Sequence, residues 1–314
     1  MKIVVVDHVY LEEEHIEKLR SIGDVEIFKD MPKNSEELKR RIGDADIAIV
    51  GWSHLTEEIL KAVEKLKMVS IWATTCHYVD LKTARERKIV VTHVPGYATE
   101  AVAEHVFALL LAAARKLLLA DKHVRRGEFD WRPFRGLELA GRTIGVIGTG
   151  AIGCRVAEIA KAFKMRILAF DKYPNFERAE EIGMKYVDLQ TLLRESDVIT
   201  LHVPLTPETE GLIGKSDIDL MKEGCVLINT SQGKVIDEKA LIEALKSRKI
   251  AYAGLDVFEE EPPPKDNPLF KLENTVLSPH IGFHTLEAAK RCTEICIDNI
   301  LKFIEGQPQN LCQL

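Results

Sequence analysis

The sequence predicts an α/β protein built from two doubly wound parallel sheets. Three observations carry that prediction. Strand and helix patterns alternate from the first residues, they alternate again after residue 143, and a glycine-rich strand–turn–helix lies between 143 and 163.

In order, the first half reads as strand Lys2–Val6, helix Glu13–Ile22, strand Val25–Lys29 and helix Ser35–Ile42. Ser35 with Glu36 and Glu37 supplies the start signals of that helix. Ala45–Val50 is a short apolar strand, Thr56–Leu66 a helix begun by Thr56, and Met68–Trp72 and Val90–His93 are further strands. Alternation of this kind implies a parallel sheet covered on both faces. It carries no glycine fingerprint, so it reads as a substrate-side domain.

Glu100–Val124 is predicted as one long helix, apolar over most of its circumference through Val102, Val106, Leu109, Leu110, Ala113 and Leu117 to Leu119. A surface helix cannot be apolar all round. Glu104, His105, Arg115 and Lys116 exclude a membrane helix, and burial at a subunit contact is the expectation. Residues 127–139, with Trp131, Pro133 and Gly136, read as loop.

The second half opens on Thr143-Ile-Gly-Val-Ile, then Gly148, Gly150 and Gly153 in the spacing G-x-G-x-x-G, then a helix with Val156, Ile159, Ala160 and Phe163 inward. The glycines serve a tight turn, close approach to a pyrophosphate, and close helix–strand packing. The helix N-terminus offers free N–H groups to phosphate. Asp171 ends the next strand, Arg166–Asp171, at the distance of a ribose-binding acid. Helix Phe176–Ile182, strand 185–187, helix Leu189–Glu195, strand Val198–Val203, strand Gly224–Thr230, helix Glu238–Ser247, strand Ala251–Val257 and strand Asn274–Leu277 follow. The last helix, His284–Ile304, returns to the first domain.

Composition bounds the rest. The chain has 314 residues, 46% of them hydrophobic, and a net charge of −6, which gives no electrostatic reason to expect nucleic acid or an anionic membrane as partner. The opening apolar run is too short for a signal peptide, and nothing approaches a membrane span. The six cysteines form no C-x-x-C, so reduced thiols in a cytoplasmic protein and no metal site are expected. Cys292 and Cys296 share a helix face and read as packing.

Three segments end strands in the second domain, where ligands of open α/β sheets sit: Asn229–Gly233, Leu255–Pro262 and Ser278–Gly282. Moving a hydride to a ketone needs a proton donor that titrates near neutrality, and His280 is the candidate. A carboxylate bonded to it would fix its orientation and favour its charged form, with Glu259, Glu260 and Glu261 as the local options.

These motifs resemble the D-isomer-specific 2-hydroxyacid dehydrogenases, which include D-lactate and phosphoglycerate dehydrogenases and glyoxylate and hydroxypyruvate reductases. The resemblance covers essentially the whole chain: V-I-G-T-G-A-I-G, Asp171, H-V-P-L-T-P-E-T (202–209), I-N-T-S-Q-G-K-V-I-D-E-K-A-L (228–241), G-L-D-V-F-E-E-E-P (254–262), S-P-H-I-G (278–282) and V-P-G-Y-A-T-E-A-V-A-E-H (94–105). It implies a flavodoxin-like substrate domain (1–99 with 285–314) and a Rossmann dinucleotide-binding domain (100–284). It also implies His280 as acid/base with Glu261 as partner, and a cofactor lined by Gly148, Gly150, Ala151, Ile152, Gly153, Asp171, Val203, Pro204, Thr209, Thr230, Ser231, Asp256, His280 and Gly282. Asp171 implies NAD, because an aspartate repels a 2′-phosphate. Ala73, Thr74, Thr75 and Tyr97 are the implied substrate contacts, and a homodimer through the 101–124 helix the implied assembly.

Two departures lie on the substrate side. The family reads N-x-[ST]-R-G where this chain has Gln232, a catalytic-position residue that cannot supply the charged fork of arginine. Losing a charge-assisted bond to a carboxylate costs about 1.5–3 kcal/mol. In Trp72–Asp80, Thr75 stands where glycine is usual and His77 where an acid is usual. His77, His93, His284, Lys234, Arg132 and Arg135 are the candidates to restore positive charge. The expected function is an NAD-dependent 2-oxoacid reductase; the alternatives are a dehydrogenase of an atypical substrate and an NAD-binding sensor with little chemistry.

Overall fold

The computed structural model describes residues 1–312. The chain forms two units, one of residues 1–98 and 284–314 and one of residues 99–283.

The first unit contains β1 (Lys2–Val5), α1 (Glu13–Arg20), β2 (Asp24–Ile27), α2 (Ser35–Ile42), β3 (Ile47–Val50), α3 (Glu57–Ala62), β4 (Met68–Ile71), α4 (Leu81–Glu86) and β5 (Val90–Thr92). Its strands run parallel in the order β2-β1-β3-β4-β5, the doubly wound order of flavodoxin-like sheets. β3 and β4 are buried throughout, as a central parallel strand covered on both faces must be. Asn34 caps α2 by accepting from the Glu37 amide, one residue before the predicted start. The short helix α4, absent from the sequence reading, starts at Asp80, whose carboxylate accepts from Thr83 N.

The second unit begins with a correction. The predicted single helix is two, α5 (Thr99–Ala114) and α6 (Leu117–Arg125), broken where Lys116 takes a left-handed φ of 53°. The burial of α5 is also intramolecular. Val106, Leu109, Leu110 and Ala113 share a core with Val156, Val226 and Ile228 of the same unit. α6 has no buried residue, and leaves Leu117, Leu118 and Val124 exposed.

The unit continues through β6 (Thr143–Ile147), α7 (Ala151–Ala162), β7 (Arg166–Phe170), α8 (Phe176–Ile182), β8 (Met184–Tyr186), α9 (Leu189–Glu195), β9 (Val198–Leu201), α10 (Lys215–Leu220), β10 (Cys225–Asn229), α11 (Glu238–Lys246), β11 (Ile250–Leu255) and β12 (Thr275–Leu277). All seven strands are parallel, in the order β12-β11-β10-β9-β6-β7-β8. The order reverses between β6 and β9, so the glycine loop after β6 sits at the switch point where such sheets bind ligands.

The last helix, α12 (Leu286–Ile304), returns to the first unit and packs on β4. Trp72 Nε1 donates to Thr293 Oγ1 there at 2.9 Å. The tail then pairs with the edge strand β5: Leu311 bridges Thr92, and Cys312 N donates to Val91 O at 2.9 Å. That pairing brings Cys312 to the loop after β4, where it forms a disulfide with Cys76. The expectation that all cysteines are reduced is therefore corrected, because sequence spacing cannot register a pairing 236 residues apart. Cys292 and Cys296 are buried as packing residues. No helix among the described residues is long and apolar enough to cross a membrane.

Candidate active site

The glycine loop has the geometry of a phosphate cradle. Gly148 has a φ of 92°, and a Cβ there would lie 2.5 Å from the His202 carbonyl. A Cβ on Gly153 would lie 1.9 Å from the Gly148 oxygen, so α7 can approach β6 this closely only with glycine. Gly150 caps α7 and faces open space, with Ala151 and Ile152 as the first helical residues. The N–H groups of that first turn have no partner inside the helix and carry its positive dipole end. These residues fit a dinucleotide pyrophosphate.

Asp171 follows β7 and is held from three sides. Its Oδ2 accepts from Thr149 N at 2.6 Å and from Thr149 Oγ1 at 3.1 Å, and its Oδ1 from Tyr173 N at 2.8 Å. Thr149 also meets Tyr186 Oη at 2.7 Å. The threonine between the first two glycines thus orients the acid, a role the sequence reading did not assign. After β9, Val203 and Pro204 border a turn closed by Thr209, whose Oγ1 donates to Pro204 O at 2.5 Å. His202 bonds Thr200 Oγ1 at 2.9 Å, and burial depresses its pKa to about 3, which keeps it neutral.

After β10, the Asn229 side chain organises the next turn. Its Oδ1 accepts from Ser231 N and Oγ, and its Nδ2 donates to Gln232 O at 2.9 Å. Thr230 Oγ1 is buried without a hydrogen-bond partner among the described residues, and the Gln232 side chain is exposed.

Asp256, just after β11, is nearly inaccessible at 1% exposure, and the loop carrying His280 folds around it. Its carboxylate accepts from Ser278 Oγ at 2.5 Å, Ile281 N at 2.9 Å and Gly282 N at 2.8 Å. His105 Nε2, from α5, lies 3.2 Å from Asp256 Oδ1 and 2.9 Å from Ser278 Oγ. The serine proton is committed to the carboxylate, so His105 Nε2 carries the hydrogen and donates to both. Burial by itself would raise the Asp256 pKa; the bonds from His105, Ser278, Ile281 and Gly282 outweigh it and lower the pKa to about 2. In the sequence His105 read as a polar interruption of the long helix and as part of the A-E-H motif, with no partner assigned. The carboxylate of Asp256 faces these donors and shapes the loop.

His280 occupies that loop with a left-handed φ of 53°, its own amide bonded to Asp256 O at 2.8 Å. Its Nδ1–H donates to Glu261 Oε2 at 2.7 Å, while Glu261 Oε1 accepts from Phe258 N at 3.1 Å. Glu259 and Glu260 are exposed. The arrangement keeps a hydrogen on Nδ1, so Nε2 is the atom that gains and loses the second proton, which is what an acid/base toward a bound ligand needs.

In the first unit, Ala73, Thr74 and Thr75 follow β4, and Tyr97 follows β5, at the carboxyl edge of that sheet. Two bonds hold the loop: His93 Nδ1–H donates to Thr74 O at 2.7 Å, and Thr74 Oγ1 to Val94 O at 3.2 Å. Tyr97 packs beside Trp72, and burial raises its phenol well above the usual range. Desolvation and then the neighbouring His54 push the His77 pKa below its ordinary value, which favours its neutral form. Arg132 is committed to Asp130 through two bonds of 2.8 and 2.9 Å. Lys234 and Arg135 are exposed.

Residues 107–282 match the family described as D-isomer specific 2-hydroxyacid dehydrogenase, NAD binding domain. The chain is 43% identical over 310 residues to a D-3-phosphoglycerate dehydrogenase of Archaeoglobus fulgidus, covering 98% of this chain but 58% of that protein. It is 42% identical over 311 residues to a glyoxylate reductase of Korarchaeum cryptofilum, covering 96% of this chain and 93% of the other. Among solved structures it is similar to an acyclic imino acid reductase in complex with NADPH and D-Arg, with a TM-score of 0.90 and 39% identity across all of both chains.

Proposed function

Because the chain belongs to the D-isomer specific 2-hydroxyacid dehydrogenases, oxidoreductases that use a nicotinamide cofactor, we propose that it is an NAD-dependent reductase of a small 2-oxoacid or its 2-hydroxyacid counterpart. The observation that carries this reading is the His280–Glu261 pair on a loop built around a buried carboxylate. A binding module without chemistry needs neither the pair nor its anchoring.

Bound at the glycine loop, the nicotinamide cofactor supplies or accepts the hydride. Gly148, Gly150, Ala151, Ile152 and Gly153 hold its phosphates, and Asp171 its ribose, with Val203, Pro204, Thr209, Thr230 and Ser231 lining the remainder. His280 Nε2 gives a proton to the developing oxyanion at C2, or takes one from the alcohol in the reverse direction. Glu261 keeps the imidazole oriented through Nδ1. Asp256 and Gly282 act through the loop that carries His280. Ala73, Thr74, Thr75 and Tyr97 are the proposed substrate contacts in the first unit.

The test is consumption of NADH with glyoxylate, hydroxypyruvate, pyruvate, phenylpyruvate and branched-chain 2-oxoacids. Turnover on one of these classes supports the reading; NADH binding without turnover on any C=O or C=N acceptor returns the protein to the sensor alternative. The acceptor group itself is open to both kinds, since the structural neighbour at 39% identity is an imino acid reductase.

Cofactor choice follows from Asp171, whose carboxylate is fixed by Thr149 and Tyr173. NADH is expected to be preferred over NADPH by at least about tenfold, the effect of roughly 1.4 kcal/mol of repulsion against a 2′-phosphate. Asp171→Ala should narrow that ratio mainly through the KM for NADPH. Equal use of the two cofactors by the parent protein would refute the assignment.

We also propose a homodimer, supported by the apolar residues of α6 (Leu117, Leu118, Val124) together with Phe129 and Trp131 just beyond it, all exposed in the single chain. Light scattering should give about twice the 35.4 kDa chain mass.

A further inference from the structure

We infer that the hydride acceptor is the iminium formed from a 2-oxoacid and an amine, in preference to the free ketone. This rests on the hydride-transfer reading above and names the substrate class of the same site.

The turn after β10 is rigid in its backbone and uncommitted in two of its side chains. Asn229 clamps Ser231 and the Gln232 carbonyl. A Cβ on Gly233 would fall 1.9 Å from the Phe258 carbonyl, so the chain at 232–233 is pressed against the segment that leads to Glu261. Phe258 N bonds Glu261 Oε1, and Glu261 Oε2 bonds His280 Nδ1. Gln232 is therefore anchored to the backbone that carries the His280–Glu261 pair. Its amide is exposed and has no hydrogen-bond partner among the described residues. Thr230 Oγ1 is buried, likewise without one.

Both of these groups can accept as well as donate. A ketone oxygen asks its surroundings for donors, and a guanidinium or ammonium meets that need best. An iminium asks the opposite. Its nitrogen carries a hydrogen and a positive charge, so it needs an acceptor and no nearby fixed cation. Gln232 Oε1 supplies the acceptor, and the neutral amide adds no repulsion.

The chemistry balances without a new oxidant. A primary amine or ammonia adds through its lone pair to the 2-oxoacid carbonyl, water leaves, and one proton from solvent converts the imine to the iminium. Hydride from the dihydronicotinamide adds to C2, and the C=N π pair passes to nitrogen. The cofactor is oxidised by two electrons, and the product is a 2-amino acid, N-substituted where the amine was, that takes up a proton from water. His280 is not required to protonate an oxyanion in this route, because the nitrogen already carries its proton.

The experiment follows NADH oxidation with glyoxylate and with pyruvate, each alone and with excess methylamine, and identifies products by mass spectrometry. The expected result is a kcat/KM at least about tenfold higher with methylamine, with the N-methyl amino acid as product. Gln232→Arg should reverse that ratio by adding a cation and removing the acceptor. Gln232→Glu, which keeps an acceptor, should retain the amine-dependent rate while oxoacid reduction falls further. Reduction of the oxoacid to the hydroxyacid alone, unchanged by methylamine, overturns this inference and leaves the hydride-transfer reading standing. An amine-dependent rate that survives in Gln232→Arg also overturns it. NADH that binds but is consumed with neither acceptor overturns both.

Discussion

His280→Ala is expected to lower turnover of 2-oxoacids by about 10²–10⁴, the usual span for a positioned acid/base, while NADH affinity stays within about twofold. The separation of the two effects follows from how the loop is built. The imidazole is partly exposed, bonded to Glu261 and edge-on to the Phe283 ring, whereas the loop is held by backbone amides on the buried Asp256. Removing the ring therefore leaves the loop in place. The left-handed φ of 53° at this position disfavours alanine slightly, so His280→Asn serves as the companion variant, since asparagine tolerates that backbone better. Glu261→Gln should fall between parent and alanine variant, because an amide oxygen still accepts from Nδ1–H without the charge that stabilises an imidazolium formed in the reverse reaction. Loss of NADH binding in proportion to turnover would mean that His280 holds the cofactor, and the acid/base assignment would fall.

The parts of this site that could be read from the sequence are those whose geometry is local. Gly148, Gly150 and Gly153 must be glycine within a few residues of a strand end and a helix start, and the close approaches found for Gly148 and Gly153 show why. Asp171 lies at a fixed distance beyond them because one helix and one strand intervene. What stayed hidden depends on contacts between distant segments. His105 reaches Asp256 across 151 positions, and Cys76 reaches Cys312 across 236. The break at Lys116 was hidden for another reason. The apolar pattern runs on through Leu117–Leu119 although the helix axis does not, so periodicity merged an inward helix with an outward one. Gln232 was conspicuous as an unusual residue, but only the structure shows that Asn229 clamps its backbone carbonyl while its side chain is exposed.

Asp256→Asn is expected to damage both stability and turnover, although its side chain faces inward. Four donors converge on a carboxylate that is 1% exposed: Ser278 Oγ, His105 Nε2 and the amides of Ile281 and Gly282. Asparagine has one acceptor oxygen and must point an NH₂ at groups that are themselves donors, leaving buried N–H groups unpaired. Breaking a buried charged network costs about 3 kcal/mol or more, which for a unit of the size of residues 99–283 lowers its thermal midpoint by roughly 6–12 °C. The pH dependence has a definite sign. The folded-state pKa is depressed to about 2 from an ordinary 3.8, so the carboxylate contributes about 2 kcal/mol above pH 4. That contribution is lost as the pH falls from about 4 through 2, and the asparagine variant should lack this part of the acid transition. Turnover should drop by more than about tenfold even at temperatures where the variant is folded, because His280 takes its left-handed backbone from a loop that no longer closes on a charge. A variant melting within a degree or two of the parent, with unchanged acid sensitivity, would show that the donors find other partners and that the carboxylate does not shape the loop.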